Sequence, residues 1–186
     1  MSLITNDTDL IDKALTAPEV LGLDAYITIN ELKPDVAVDR RDLLYRPLQG
    51  QCTADSNIAR HIRLPFDFDP IRATGTAAAP EQIARAIEMR DALVLYLSQR
   101  GWPGPAGDVF SGNGRHTYFK TDLPNTPEVQ SLLYALYTGL ARRFDRPGLV
   151  KIDKSVRSPA QIMRLPGTLN HKAQRQCEIL SVSEDA

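Results

Sequence analysis

The sequence predicts an α+β fold in which two helices cover one face of a sheet. Three observations point there. Residues 64–70 read Leu-Pro-Phe-Asp-Phe-Asp-Pro, a strict alternation of aromatic and acid. Strand side chains alternate faces with a period of two, so Phe66 and Phe68 go one way and Asp67 and Asp69 the other. Two segments, 80–100 and the stretch beginning at Asn125, carry apolar residues at helical spacing. The order of the core elements is strand, helix, strand, strand, helix, strand, which is the split βαβ, ferredoxin-like arrangement, with the second sheet face left free for a site.

In chain order, residues 8–16 suit a short helix with Leu10, Ile11 and Leu15 as its apolar positions. Residues 24–30 alternate and are β-branched, a strand candidate. Residues 34–44 read as a turn or short helix and 49–56 as a loop. A strand over 61–69 ends at Pro70, and 71–79, with Thr74-Gly75-Thr76, reads as a connecting loop. The 80–100 helix starts on Pro80 and Glu81, stops at Gly101, and presents Ile83, Ala86, Ile87, Val94 and Leu97. Val109-Phe110 and residues 115–121 are strands around a Gly-rich turn. Asn125-Thr126-Pro127-Glu128 starts a helix whose stripe is Val129, Leu132, Leu133, Leu136, Tyr137 and Leu140, and Pro147-Gly148 ends it. Residues 149–153 form a strand, 157–168 run extended with a turn at Pro166-Gly167, and 176–182 are a last strand.

Composition bounds the classes. The 186 residues are 42% hydrophobic and 24% charged, enough for one compact domain: an N-terminal lobe over about 1–60 and a core over about 61–186. Apolar runs are too short to span a membrane, and residues 1–7 have no signal-peptide pattern, so a cytoplasmic location is expected. Cys52 and Cys177 make neither a disulfide framework nor a four-ligand zinc site. Net charge is −1, but residues 142–175 hold nine basic and two acidic side chains, a local +7 that suits a polyanion.

Three constellations carry chemistry. Asp67 and Asp69 would stand roughly 6.5–7 Å apart along one strand face, a pairing that calls for a compensating cation. Ser111-Gly-Asn-Gly-Arg-His116 combines glycines that admit positive φ, a hydroxyl and an imidazole, the makings of an anion nest, although a plain hairpin turn has the same look. Asp153 ends a hydrophobic strand predicted in the same sheet as Asp67, so it can supply a third carboxylate for a hard cation such as Mg²⁺ or Mn²⁺. Arg164 and Lys172 follow as candidate phosphate partners.

Acid-x-acid on a strand, Ser-Gly-x-Gly-x-His, hydrophobe-Asp and Arg-Leu-Pro-Gly-Thr together resemble the archaeo-eukaryotic primase superfamily, in particular the primase-polymerase domains of plasmids and phages. The resemblance runs from about Asp24 to Lys172 and departs at Gln161 and Ala173, where relatives often carry Arg and Gly. It implies an RRM-like catalytic core joined to an N-terminal α/β unit. It implies a DNA primase or nucleotidyltransferase making or extending primers from NTPs or dNTPs on single-stranded DNA. Asp67, Asp69 and Asp153 would hold two metal ions. Ser111, Asn113, Gly114, His116, Arg164 and Lys172 would hold the nucleotide, and Lys154, Arg157 and Arg175 the DNA. A replicative helicase is a possible partner, and the chain is either a minimal primase or one domain of a larger one. Two other readings stay open. One is a non-catalytic single-stranded-DNA-binding initiator module; the other is a metal-dependent glycosyltransferase, which explains Asp67 and Asp69 but neither the Ser111–His116 element nor the basic segment.

Overall fold

The computed structural model describes residues 1–18, 20–36, 38–49 and 52–183. Helix α1 spans Thr8–Thr16, and Asp7 caps it by accepting from the Asp9 and Leu10 N–H groups. The strand expected over 24–30 is shorter: β1 covers Tyr26–Thr28, and β2 follows at Glu31–Leu32. In the 34–44 stretch a 3₁₀ turn covers Val38–Arg40, and Ala37 lies outside the described residues. Of the loop expected over 49–56, Gly50 and Gln51 also lie outside them. Strand β3 runs Ile58–Pro70, longer at its start than predicted. Then come α2 (Pro80–Ser98), β4 (Gly107–Phe110), β5 (Arg115–Pro124), α3 (Pro127–Phe144) and β6 (Val150–Ile152). Four short strands close the chain: β7 (Ile162–Arg164), β8 (Leu169–Asn170), β9 (Arg175–Gln176) and β10 (Glu178–Val182).

The main sheet has the order β10-β4-β5-β3-β2, and β6 also pairs with β3. Every pairing in it is antiparallel. Strand β1 pairs with β7 apart from it, and β8 with β9. Along β3, one edge is taken by β5 and the other is shared: β2 at Ile58 and Arg60, β6 from Phe68 to Pro70. Between them lies a gap in the ladder. The Asn30 side chain fills part of it, accepting from Ile62 and Arg63 N–H and donating to the Pro159 carbonyl. Pro65 falls in the same gap, where no partner strand requires the N–H it lacks. Its carbonyl accepts from the Tyr137 hydroxyl instead.

The core lies between this sheet and the two long helices. Phe66 and Phe68 are fully buried, 0% exposed, among Ala86, Met89, Leu93 and Leu97 of α2 and Leu133, Tyr137, Leu140 and Ala141 of α3. Phe66 stacks on Tyr137 at 4.9 Å and meets the Phe119 edge at 5.8 Å, both favoured aromatic geometries. The helices form where the signals place them. Pro80 and Pro127 start them, Thr126 caps α3, and Gly101 takes φ +80° just past α2. The buried faces differ in part from the predicted ones. Met89 and Leu93 are buried in place of Ile83 and Ile87, which are half-buried, and Leu132 is 61% exposed. Both helices are apolar around more than one stripe, and only one stripe of each meets the sheet.

Because Phe66 lies at the centre of the core and cannot be replaced by collapse of two helices onto a sheet, Phe66→Ala is expected to cost about 3–5 kcal/mol. Leu132→Ala should change stability by no more than about 0.5 kcal/mol. Urea unfolding of the two variants against the wild type measures both.

Candidate active site

Burying Phe66 and Phe68 turns Asp67 and Asp69 to the far face of the sheet. The register completes the arrangement. Asp67 is paired with His116 on β5. On its other edge Phe68 pairs with Ile152, so Asp153 stands opposite Asp67, and the Asp153 N–H donates to the Asp67 carbonyl at 2.9 Å. Lys151 stands opposite Asp69. Three carboxylates therefore occupy neighbouring positions of one face, with an imidazole on the fourth side.

Their electrostatics follow from that crowding. Burial first, and then the charges of Asp69 and Asp153, push the Asp67 carboxyl well above the usual carboxylate range, against the pull of Arg72 and Lys151. His116 Nε2 lies 3.7 Å from Asp67 Oδ1. Burial, helped by the nearby Arg164 charge, pushes the His116 imidazole down to about 4, so this is a contact with a neutral ring and not an ion pair. The Tyr118 hydroxyl lies 3.4 Å from His116 Nδ1. If it donates there, the ring proton sits on Nε2.

The donor set fits a hard divalent cation: three oxygen acids on neighbouring positions, the central one raised by burial and by the charges of the other two. As they stand, two of the acids are turned to local partners. Asp69 accepts from Arg72 Nη1 at 2.8 Å, and Asp153 caps the following 3₁₀ turn by accepting from Ser155 N–H at 2.8 Å. Among the described residues no three His, Cys, Asp or Glu side chains are gathered as a ready-made metal group.

The Gly-rich turn between β4 and β5 lies beside the acids and is packed tightly. Ser111 Oγ accepts from the Gly114 N–H at 3.0 Å, and Asn113 Oδ1 accepts from the Ala78 N–H at 2.8 Å. The glycines serve close approach of protein to protein. A Cβ at Gly114 would stand 2.5 Å from the Phe68 carbonyl oxygen, and one at Gly112, which takes φ +90°, would stand 2.9 Å from the Asn170 side chain. Ser111, Asn113 and Gly114 are all buried.

The far face is also less bare than the sequence suggests, because the basic segment folds back over it. Asn170 donates to the Ser111 carbonyl at 2.8 Å. Arg164, 8% exposed, contacts Asp24 at 2.8 Å through Nη1 and donates to the Tyr26 hydroxyl at 2.9 Å through Nη2. The Nη1 contact is at ion-pair distance but outside hydrogen-bond alignment, which leaves that N–H without an aligned acceptor. Asp24 also accepts from the His171 N–H at 3.0 Å. Lys172 is exposed on the β8–β9 turn, and Lys154 is exposed after Asp153. Arg157 lies over the Tyr134 ring at 5.0 Å, and Arg175 donates to the Ala78 and Gly112 carbonyls.

Sequence reasoning missed Asp24, Tyr26 and His171 around Arg164, and Arg72 beside Asp69. Arg72, three residues after Asp69, had a readable signal in its spacing. Asp24 had none, since its partner is 140 residues away.

Arg164 first, and then the His171 N–H, hold the Asp24 carboxyl well below the usual range. A depressed folded-state pKa contributes stability above the unfolded value of about 4 and loses it as pH falls further. Wild-type protein should therefore lose stability below about pH 4 to a greater degree than Asp24→Asn, which should be less stable at neutral pH and flatter in acid. Urea unfolding at a series of pH values reads this.

No protein-family model matches the sequence, and no curated protein matches it. Among solved structures the chain is similar to the AEP domain of the cyanophage S-2L primase-polymerase, at 14% identity and a TM-score of 0.48, over 96% of this chain and 70% of that one.

Proposed function

We propose that the chain is a metal-dependent nucleotidyltransferase of the archaeo-eukaryotic primase type that makes or extends primers from NTPs or dNTPs on single-stranded DNA. The observation that carries this reading is the setting of Asp67: Asp69 two residues along its strand, Asp153 opposite it on one edge, and His116 opposite it on the other. The strand order β6-β3-β5-β4, with α2 and α3 packed on one face, supports an RRM-like core.

In this reading Asp67, Asp69 and Asp153 hold divalent ions, Mg²⁺ or Mn²⁺, whose chemistry when bound is to activate a 3′-hydroxyl and neutralise a departing pyrophosphate. His116, neutral at physiological pH, donates its Nε2 proton to a phosphate oxygen. Arg164 adds a fixed positive charge beside it, with one N–H lacking an aligned acceptor, and Asp24 and Tyr26 hold that guanidinium in place. Ser111, Asn113 and Gly114 shape the turn next to His116, and Lys172 adds charge from its exposed turn. Lys154 and Arg157 attract the DNA backbone, while the guanidinium of Arg175, committed to two carbonyls, acts on it through charge alone.

Two measurements test the proposal. Asp67→Ala, Asp69→Ala and Asp153→Ala should fold and yet lose metal-dependent synthesis of dinucleotides by on the order of 10²-fold or more. Labelled NTPs or dNTPs with single-stranded DNA and Mg²⁺ or Mn²⁺ provide the assay, and full activity in the Asp69 variant would remove the shared-metal reading. DNA affinity measured against salt should show a slope smaller by about 0.7 in Lys154→Ala, with little change in sequence preference.

A further inference from the structure

The loop over 71–79 reads in the sequence as a plain connector, yet it touches Asp69 at one end and the Gly-rich turn at the other. Arg72 Nη1 donates to Asp69 Oδ1 at 2.8 Å and to the Pro70 carbonyl at 2.9 Å, and its Nε donates to the Thr76 carbonyl at 3.1 Å. At the other end of the loop, the Ala78 N–H donates to Asn113 and the Ala78 carbonyl accepts from Arg175. The Arg72 side chain is only 11% exposed. Two backbone carbonyls, Pro70 at the end of β3 and Thr76 in the loop, fix the guanidinium as well, so its position does not depend on Asp69 alone. It is a preorganised cation set against an acid cluster.

We propose that Arg72 is the resident counter-ion of the acid cluster, a positioning residue that holds Asp69 in the metal-free enzyme and must be displaced from it by an entering divalent cation. The inference rests on the reading of Asp67, Asp69 and Asp153 as metal ligands. Its physical basis is Coulombic. A positive charge bonded to Asp69 cancels part of the attraction the cluster exerts on a second cation, and it occupies one of the oxygens that cation needs. Displacement also leaves a nearly buried N–H without its acceptor, a cost that a phosphate oxygen arriving with the cation would remove. Resting affinity for the bare ion is thus held down, and affinity for the ion with a nucleotide is not.

The test is Mn²⁺ titration of the full chain, without nucleotide, followed by the electron paramagnetic resonance signal of free Mn²⁺. Arg72→Gln, which loses the charge but can still donate to a carbonyl, should bind Mn²⁺ about tenfold more tightly than wild type. Arg72→Lys should bind within about twofold of wild type. A merely structural role predicts the opposite sign, since a loosened loop would weaken binding. Equal or weaker binding by Arg72→Gln, with wild-type binding abolished by Asp67→Ala, would overturn the counter-ion role and leave the metal reading standing. No Mn²⁺ binding by any of these proteins would overturn both. A measurement on the wild type covers the case in which Arg72→Gln does not fold: diamagnetic Mg²⁺ should shift the Arg72 Nε–H resonance in the NMR spectrum, and an unmoved resonance at saturating Mg²⁺ overturns the proposal.

Discussion

Two phenylalanines on β3 set the direction of everything at the site. Phe66 and Phe68 have no exposed surface in the core under α2 and α3, and Phe66 is held by aromatic packing on Tyr137 and Phe119. The pleat then leaves Asp67 and Asp69 no choice of face. A slip of one residue would exchange aromatics and acids, burying two carboxylates in an apolar core and exposing two rings. Hydrophobic burial of that size holds the register against the repulsion among the acids. The sheet supplies the rest of the geometry, since β5 brings His116 and β6 brings Asp153 to either side of one carboxylate.

Two of the polar networks have different tasks. On the helix side, Asp108 is buried and fully engaged by Arg90, Thr117 and Ser181, joining α2 to β4, β5 and β10. Every partner there is satisfied, as a purely structural buried network requires. On the far face the accounting is less complete. Asp67 is crowded by like charges, Arg164 carries an N–H with no aligned acceptor, and Asp69 depends on Arg72. Polar groups that remain partly unsatisfied mark the face where a charged ligand would complete the set.

Much of this was legible in the chain itself, for identifiable reasons. The Phe-Asp-Phe-Asp alternation defines a strand, and the Pro and Gly signals around both long helices reappear at their ends. What periodicity could not decide was which of several apolar stripes meets the sheet, so Met89 and Leu93 went unnamed and Leu132 was placed on the buried face. The Gly-rich turn was legible as a turn, but not the reason for its glycines, which is the approach of the Phe68 carbonyl and Asn170. Contacts set by the return of the basic segment over the sheet were out of reach. Asp24 with Arg164, and Asn30 bridging β3 to Pro159, join residues more than a hundred positions apart with no local pattern to announce them.

The central claim is that Asp67, Asp69 and Asp153 share divalent cations on the far face of the sheet. Anomalous diffraction from crystals grown with Mn²⁺ and a non-hydrolysable nucleoside triphosphate tests it most directly. The account predicts anomalous peaks coordinated by the Asp67, Asp69 and Asp153 carboxylates, with the triphosphate within reach of His116. Full nucleotide occupancy with no manganese at these acids, or manganese bound elsewhere on the chain, would contradict it.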